Sequence, residues 1–335
     1  MDPLTQGLLG ATASRNAAVH RSDDVSLAQP VLWGMLAGMA ADLDVLIRSG
    51  SDPLLFLEYH RQFTHSLIFI PLGAAICCLV LKPLLDRKQR WSWPLAYMYC
   101  LLGYATHALL DACTTYGTQL LWPFSDARIA WNVMSIIDPL YTLPIALFML
   151  LSWRRASKAW ARLALIWVLA YPLAGWFQHE RAEAVGFELA ERRGHKPVDL
   201  DAKPSFANLL LWKVVYRYEG QFYVDAVRVG LTETVFEGES IAELDWQRDL
   251  PWLPKDSRLG RDVQRFAWFS NQYVAMHPDD QMRVIDIRYS MLPNEINPLW
   301  SVARPPDWRM PVRYEVHRDA SDSVMSEFWR QLFDQ

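Results

Sequence analysis

Seven side chains in the first half of the chain have the chemistry of a metal centre: Asp42, Asp44, His60, His65, His107, Asp111 and Asp138. His107 and Asp111 are four apart, so on a helix both project from one face and can bind one ion. His60 and His65 are five apart; a helix would separate them by ~140°, which predicts a turn between them. Asp42 and Asp44, two apart, diverge on a regular helix, so one is expected to face the ion and the other to support it. Imidazole and carboxylate without thiolate suit Zn²⁺, Mn²⁺ or Fe²⁺ better than a structural zinc site. Three His and up to four Asp exceed the needs of one tetrahedral ion, so a two-ion centre is also open. Such a centre activates water for displacement at phosphorus or carbon, with Asp42 or Asp44 as the base. Asp138 precedes Pro139 and reads equally well as a helix cap.

The elements that must carry these residues are apolar. Five blocks, 29–47, 66–85, 95–111, 137–152 and 160–178, read as membrane spans, and 66–81 carries no charge at all. A span needs ~20 apolar residues, with a range of ~17–25. Segment 3–19 reads as a further short helix, packed on the bundle or lying at the interface. Lys82, Arg87, Lys88 and Arg90 fill one loop, and Arg154, Arg155, Lys158 and Arg162 another. These basic loops are expected to face the cytoplasm. The opposite loops, 48–65 and 112–136, hold only Arg48, Arg61 and Arg128. That orientation puts the N-terminus inside and the second half outside, and it brings all seven candidate ligands to the outer face. Trp91, Trp93, Trp153, Trp160 and Trp176 near the span ends suit interfacial anchoring. A carboxylate at membrane depth is penalised by ~2.5–3.5 kcal/mol on insertion scales, so it persists when paired or cation-bound.

Other residues on that side are weighed in the same terms. Arg61 and Arg128 read either as snorkelling side chains or as a clamp for an anionic group such as phosphate. Thr114, Thr115, Tyr116, Trp122 and Asn132 are candidate pocket lining, and Glu58 is a candidate base. Asp2, Asp23 and Asp24 read as caps or solvated acids. His179, His195, His277 and His317 fall outside the cluster and read as ordinary. The four cysteines, Cys77, Cys78, Cys100 and Cys113, lie in or beside apolar blocks with no CxxC pair, so they read as small buried hydrophobes. No basic run suggests nucleic acid as a partner. No cleavable signal peptide is expected at the N-terminus.

The second half differs in kind. Residues 180–335 hold 26 acidic and 20 basic side chains, against 11 and 13 in residues 1–179. That split argues against one ordinary soluble globule, and 52% apolar residues with 16 Trp argue against disorder. The helical pattern continues past the fifth block to Arg193, where Gly194 stops it. Beyond lie strands at 209–218 and 221–229, joined as a hairpin at Glu219-Gly220, and further strands at 282–289 and 312–318. Segments 240–246, 258–269 and 323–333 read as helices. The fold class is thus an α-helical multipass membrane bundle of about five spans, followed by a soluble α+β domain with an antiparallel sheet. The expected divisions are 1–180 for the membrane-embedded metal-site domain, 181–205 for a helical extension and linker, and 206–335 for an extracytoplasmic domain.

Several segments together carry a resemblance. They are Met1-Asp2-Pro3-Leu4-Thr5, Ala41-Asp42-Leu43-Asp44, His60-Arg61-Gln62-Phe63-Thr64-His65-Ser66, His107-Ala108-Leu109-Leu110-Asp111, Thr115-Tyr116-Gly117-Thr118 through Trp122-Pro123-Phe124-Ser125, and Ile137-Asp138-Pro139-Leu140. In this order they resemble the YdjM-like family of bacterial inner-membrane metal-dependent hydrolases, over about residues 1–180. The resemblance implies metal-ligand roles for His60, His65, His107 and Asp111, with Asp42, Asp44 and Asp138 close behind. A more distant likeness to zinc-dependent phospholipase C and nucleases implies phosphoester cleavage. Some family members are described as binding the repressor LexA; the sequence itself names no protein partner. The chain departs from the pattern at Gln6, where the family often has His, and at Ala41, where it often has Pro.

Two functions are carried forward. One is a membrane-bound hydrolase of a phosphoester or other ester, lipid included, using a divalent transition metal (Zn, with Mn or Fe as alternatives, as one ion or two). In it Asp42, Asp44 and Arg61 serve catalysis. The other is a metal-stabilised membrane protein without catalysis, whose soluble domain binds a partner.

Overall fold

Asp2 and Pro3 open the first helix. The Asp2 carboxylate accepts the Thr5 N–H at 3.0 Å, Pro3 takes the position where no amide hydrogen is needed, and α1 runs Pro3–Ala17. It packs against α2 (Ala28–Ala40), which tightens into a 3₁₀ turn over Ala41–Leu46. After a short α3 (Leu55–Tyr59) and a 3₁₀ turn over Phe63–His65 come α4 (Ile70–Leu85) and α5 (Trp93–Ala112). Asp138 caps α6 (Pro139–Arg154), accepting the Leu140 N–H at 3.1 Å and the Tyr171 hydroxyl at 2.7 Å. The long α7 covers Lys158–Arg192. Gly194 follows it at φ +73°, with Gly194 N–H on the Glu191 carbonyl and His195 N–H on that of Ala190, a Schellman stop. The structure, a computed structural model, describes residues 1–18, 28–88, 90–305 and 310–334. Asp23 and Asp24 lie outside the described residues.

The chain divides into two units. The first comprises Met1–Leu46, Tyr59–Trp176 and Phe206–Asn208. Its centre is a contact of α1, α2 and α5 at backbone distance. A Cβ built on Gly10 or Gly103 would lie 2.0 or 2.1 Å from the Gly34 carbonyl oxygen, so only hydrogen fits there. Above the glycines Trp33, Trp91 and Tyr99 pack ring against ring. Of the segment expected at 3–19, Pro3–Ala17 is a helix packed in the bundle. Cys77, Cys78 and Cys100 are buried thiols, and all four cysteines are free. Two helical segments, Leu67–Leu85 and Lys158–Arg192, are long and apolar enough to cross a membrane. Leu72, Ile76, Leu79 and Val80 of α4, Leu143, Leu147 and Leu150 of α6, and Ile166, Leu169 and Leu173 of α7 are all exposed.

The second unit comprises Ile47–Glu58, Phe177–Ser205 and Leu209–Gln335. It holds two four-stranded antiparallel sheets where one was expected. The first runs β1 (Leu200–Pro204), β2 (Leu211–Tyr218), β3 (Gln221–Val229), β4 (Glu233–Ala242) in sequence order. Glu219 and Gly220, at φ +48° and +72°, make the tight β2–β3 hairpin. After α8 (Trp246–Asp249) and α9 (Arg258–Phe269) comes the second sheet, β5 (Val274–His277), β6 (Asp280–Asp286), β7 (Trp300–Ala303), β8 (Arg313–Val316), and then α10 (Asp322–Phe333). Ala182 and Val185 of α7 pack on Trp212, Val214 and Val227, while Phe222 and Val224 pack on Tyr273, Ala275 and Ile285. The helix expected over 240–246 is instead the end of β4 and a short connection. Phe222↔Ile241 and Gln221↔Ala242 pair across the ladder, and that tertiary pairing overrides a locally helical pattern.

Segment Ile47–Glu58 belongs to the second unit, although it connects Asp44 to His60 along the chain. Arg265 of α9 holds it: Nη1 and Nη2 bond the two Asp52 oxygens at 3.0 and 2.9 Å, and Nε bonds Glu58 Oε1 at 2.5 Å. Phe56 meets Tyr314 edge to face at 5.1 Å.

The glycine contact makes a specific prediction. A Cβ at Gly34 would sit 2.0 Å from Ser14 Oγ and 2.4 Å from the Gly10 carbonyl oxygen. Gly34→Ala should destabilise the bundle by about 1–3 kcal/mol, the usual range for overpacking. Thermal melts in detergent check it, with Gly50→Ala as control, because a Cβ at Gly50 meets nothing within 4 Å.

Candidate metal centre

Four side chains from three segments converge in the first unit. His107 and Asp111 stand one turn apart on α5, His65 ends the 3₁₀ turn that precedes α4, and Asp42 lies in the 3₁₀ turn that follows α2. Their ligand atoms form a closed set. His65 Nε2 lies 3.2 Å from Asp111 Oδ2 and 3.5 Å from Asp42 Oδ1. His107 Nε2 lies 3.5 Å from Asp111 Oδ2 and 3.3 Å from Asp42 Oδ1. A tetrahedral ion with bonds of about 2.0–2.1 Å has ligand-to-ligand edges of about 3.3–3.4 Å. The four separations match that edge. They are longer than the roughly 2.7–2.9 Å of a charged N–H···O bond.

The tautomers follow from the surroundings. His107 Nδ1 faces the Gly38 carbonyl oxygen at 2.5 Å. A carbonyl only accepts, so Nδ1 carries the proton and the Nε2 lone pair of the neutral ring points inward. Thr64 donates its hydroxyl to Asp44 Oδ2 at 2.7 Å, which leaves its oxygen to accept from His65 Nδ1 at 2.9 Å. Asp44 Oδ2 lies 3.2 Å from the same nitrogen. His65 is thus held in the same tautomer, with Nε2 also aimed at the centre. His65 Nε2, His107 Nε2 and Asp111 Oδ2 are buried and make no hydrogen bond. Carbonyl and carboxylate partners behind imidazole ligands are the usual support of a metal site.

Asp42 and Asp44 diverge. Asp42 faces the two imidazoles and keeps 17% of its side chain exposed. Asp44 turns to the outer side of the group, where its oxygens also accept from His60 Nδ1 at 2.7 Å and the Arg61 N–H at 3.0 Å. Asp42, Asp44 and His60 form a second ligand-competent trio that shares Asp42 with the first set. Burial lowers the His60 pKa, against the opposing pull of Asp44.

The remaining candidates divide. Arg61 is buried, not free to clamp a substrate: its guanidinium lies 3.1 Å from Asp111 Oδ2 and donates to Thr114 Oγ1 at 2.9 Å. Its backbone is left-handed at φ +65°, fixed by the Asp44 contact and by Gln119 N–H on its carbonyl at 2.9 Å. Tyr116 lies beneath both Arg61 and Arg128, at 4.9 and 5.3 Å, and 5.5 Å from His60. Trp122 packs on Phe63. Asp138 belongs to neither ligand set; its oxygens are taken by the α6 cap and Tyr171. Glu58 is paired with Arg265. Three further groups support the site; the sequence marks Gln6 only as a departure from the family pattern and does not mark the other two. Thr64 sits inside the His60–His65 motif, which is its only signal. Gln6 donates to Asp111 Oδ1 at 2.8 Å, beside the Met1 amino group on the same oxygen. The Gly38 carbonyl has no side-chain signal at all.

Comparison with known proteins bears on the same region. The profile of the YdjM inner membrane protein family matches residues 1–182. The chain is 29% identical over 135 residues to the uncharacterized protein YfhP of Bacillus subtilis (strain 168), which covers 39% of this chain and 38% of that protein. It is 30% identical over 107 residues to the inner membrane protein YbcI of Escherichia coli (strain K12), covering 31% of this chain and 60% of that protein. The chain therefore spans less than two thirds of either relative. No solved structure matches it. The family match takes in more than half of the sequence, including every ligand described above, and the chain belongs to the YdjM inner membrane protein family.

Proposed function

We propose that this protein is a membrane-embedded, metal-dependent hydrolase of a phosphoester or other ester, lipid included, with its site on the extracytoplasmic face of the inner membrane. The observation that carries this reading is the convergence of four ligand atoms at tetrahedral-edge spacing, three of them buried without a hydrogen bond. Zn²⁺ suits two imidazoles and two carboxylates, with Mn²⁺ or Fe²⁺ as alternatives. An ion held there supplies Lewis acidity and lowers the pKa of water.

The chain's own residues have distinct tasks. His65, His107, Asp111 and Asp42 hold the ion. Arg61 balances Asp111 and orients it. Asp44 fixes the proton of His60 on Nδ1 and so leaves His60 Nε2 as the proton acceptor, the logic of a base oriented by a buried carboxylate. The sharing of Asp42 with Asp44 and His60 supports a second, more open ion position. A structural ion is the competing reading, because four protein ligands already fill a tetrahedron. The partial exposure of Asp42 favours the catalytic one.

Membrane location rests on family membership, the two long apolar helices and the exposed leucines of α4, α6 and α7. In the proposed topology five segments cross, the basic loops face the cytoplasm, and residues 206–335 are extracytoplasmic. Lipid is then the nearest source of ester substrate.

Two experiments test this. Asp44→Asn should keep the ion and the fold while lowering turnover by up to ~10²–10⁴, the usual worth of a general base, because His60 then loses the carboxylate that orients it as the base. The assay is a panel of phosphoesters and carboxylesters, lipids in detergent included, with added Zn²⁺ or Mn²⁺. Metal-dependent turnover no greater than that of His107→Ala would refute the enzyme reading in favour of a structural ion. For topology, alkaline phosphatase fused after Lys203 should be active in a Gram-negative host. An inactive fusion there, with an active one after Lys88, would reverse the orientation.

A further inference from the structure

We propose a second divalent-cation site, formed by His179 and Glu183 of α7 with Asp201 of β1, wholly within the second unit. The sequence reading took His179 as ordinary, since it lies far from the first cluster along the chain. The structure gives it the same arrangement as His107 and Asp111: an imidazole and a carboxylate one helical turn apart, completed by an acid from another segment. His179 Nε2 lies 3.4 Å from Glu183 Oε1 and 3.9 Å from Asp201 Oδ1. One ligand atom from each of the three residues falls within a single ion-sized group.

The state of His179 Nε2 carries the inference. The atom is buried and makes no hydrogen bond to any of the described residues, although two carboxylates face it. A protonated ring between two acids would close to about 2.7–2.9 Å on at least one of them. The wider spacing suits a cation between the three groups. Lys203 Nζ engages Asp201 Oδ2, while Asp201 Oδ1 is the oxygen nearer His179. The His179 ring is seated against Trp212, edge on at 5.8 Å, and the trio is only partly buried, so water can complete the coordination. One nitrogen and two carboxylate oxygens select a borderline divalent ion such as Zn²⁺ or Mn²⁺. Its effect would be to staple β1 to the end of α7.

The test counts ions on the full-length protein in detergent, by equilibrium dialysis against Zn²⁺ followed by elemental analysis. His107→Ala removes the first centre and should still retain about one zinc per chain. Adding His179→Ala should remove it. In the otherwise wild-type protein, His179→Asn, which preserves size, should lower the count by one and abolish part of the zinc-induced rise in melting temperature. A His107→Ala protein that holds no zinc, or a count unchanged by both His179 variants, would overturn the second site. A wild-type count of one that falls only with His179→Asn would support it and contradict the first centre instead, so the two readings fail separately.

Discussion

Two imidazole nitrogens and two carboxylate oxygens are directed at one point, three of the four side chains fully buried, and the rest of the first unit is arranged around that convergence. Burying an ionised carboxylate without compensation costs several kcal/mol. Arg61, whose backbone is left-handed, meets part of the demand at 3.1 Å from Asp111. The acceptors behind Nδ1 hold the proton of each neutral ring on that nitrogen and turn Nε2 toward the carboxylates. The divalent ion proposed above would satisfy all four ligand atoms at once.

The position of those donors depends on how closely the helices approach. Gly10, Gly34 and Gly103 let α1, α2 and α5 meet backbone to backbone, and the same approach brings the Gly38 carbonyl within 2.5 Å of His107. A single methyl group in that contact would displace the carbonyl and release the ring. The tightening of α2 into a 3₁₀ turn then separates Asp42 from Asp44, one toward the Nε2 atoms of His65 and His107 and one behind His65. Between Asp44 and His60 the chain leaves for residues that fold with the second unit and are held there by Arg265 on Asp52 and Glu58.

Much of this was legible in the sequence because its signals are local. The four-residue spacing of His107 and Asp111, the capping dipeptides Asp2-Pro3 and Asp138-Pro139, the Gly194 stop and the helix over 258–269 each rest on near neighbours. What was not legible depends on distant pairing. Strands β1, β5 and β7 are short, and β4 was read in part as helix because its partner β3 lies elsewhere in the chain. Arg61 looked like a substrate clamp because only folding reveals that Asp111 and Thr114 already occupy it. Glu58 was a candidate base until Arg265, some 200 residues on, took its carboxylate. The backbone carbonyl of Gly38 leaves no trace in side-chain chemistry.

The most direct measurement of the central claim is X-ray absorption at the zinc edge on His179→Asn protein loaded with one equivalent of Zn²⁺. The expected result is a four-coordinate shell of nitrogen and oxygen at about 2.0–2.1 Å, with the outer-shell scattering of two imidazoles that disappears in part with His107→Ala. A sulfur shell near 2.3 Å, or a shell of oxygens with no imidazole contribution, would contradict it.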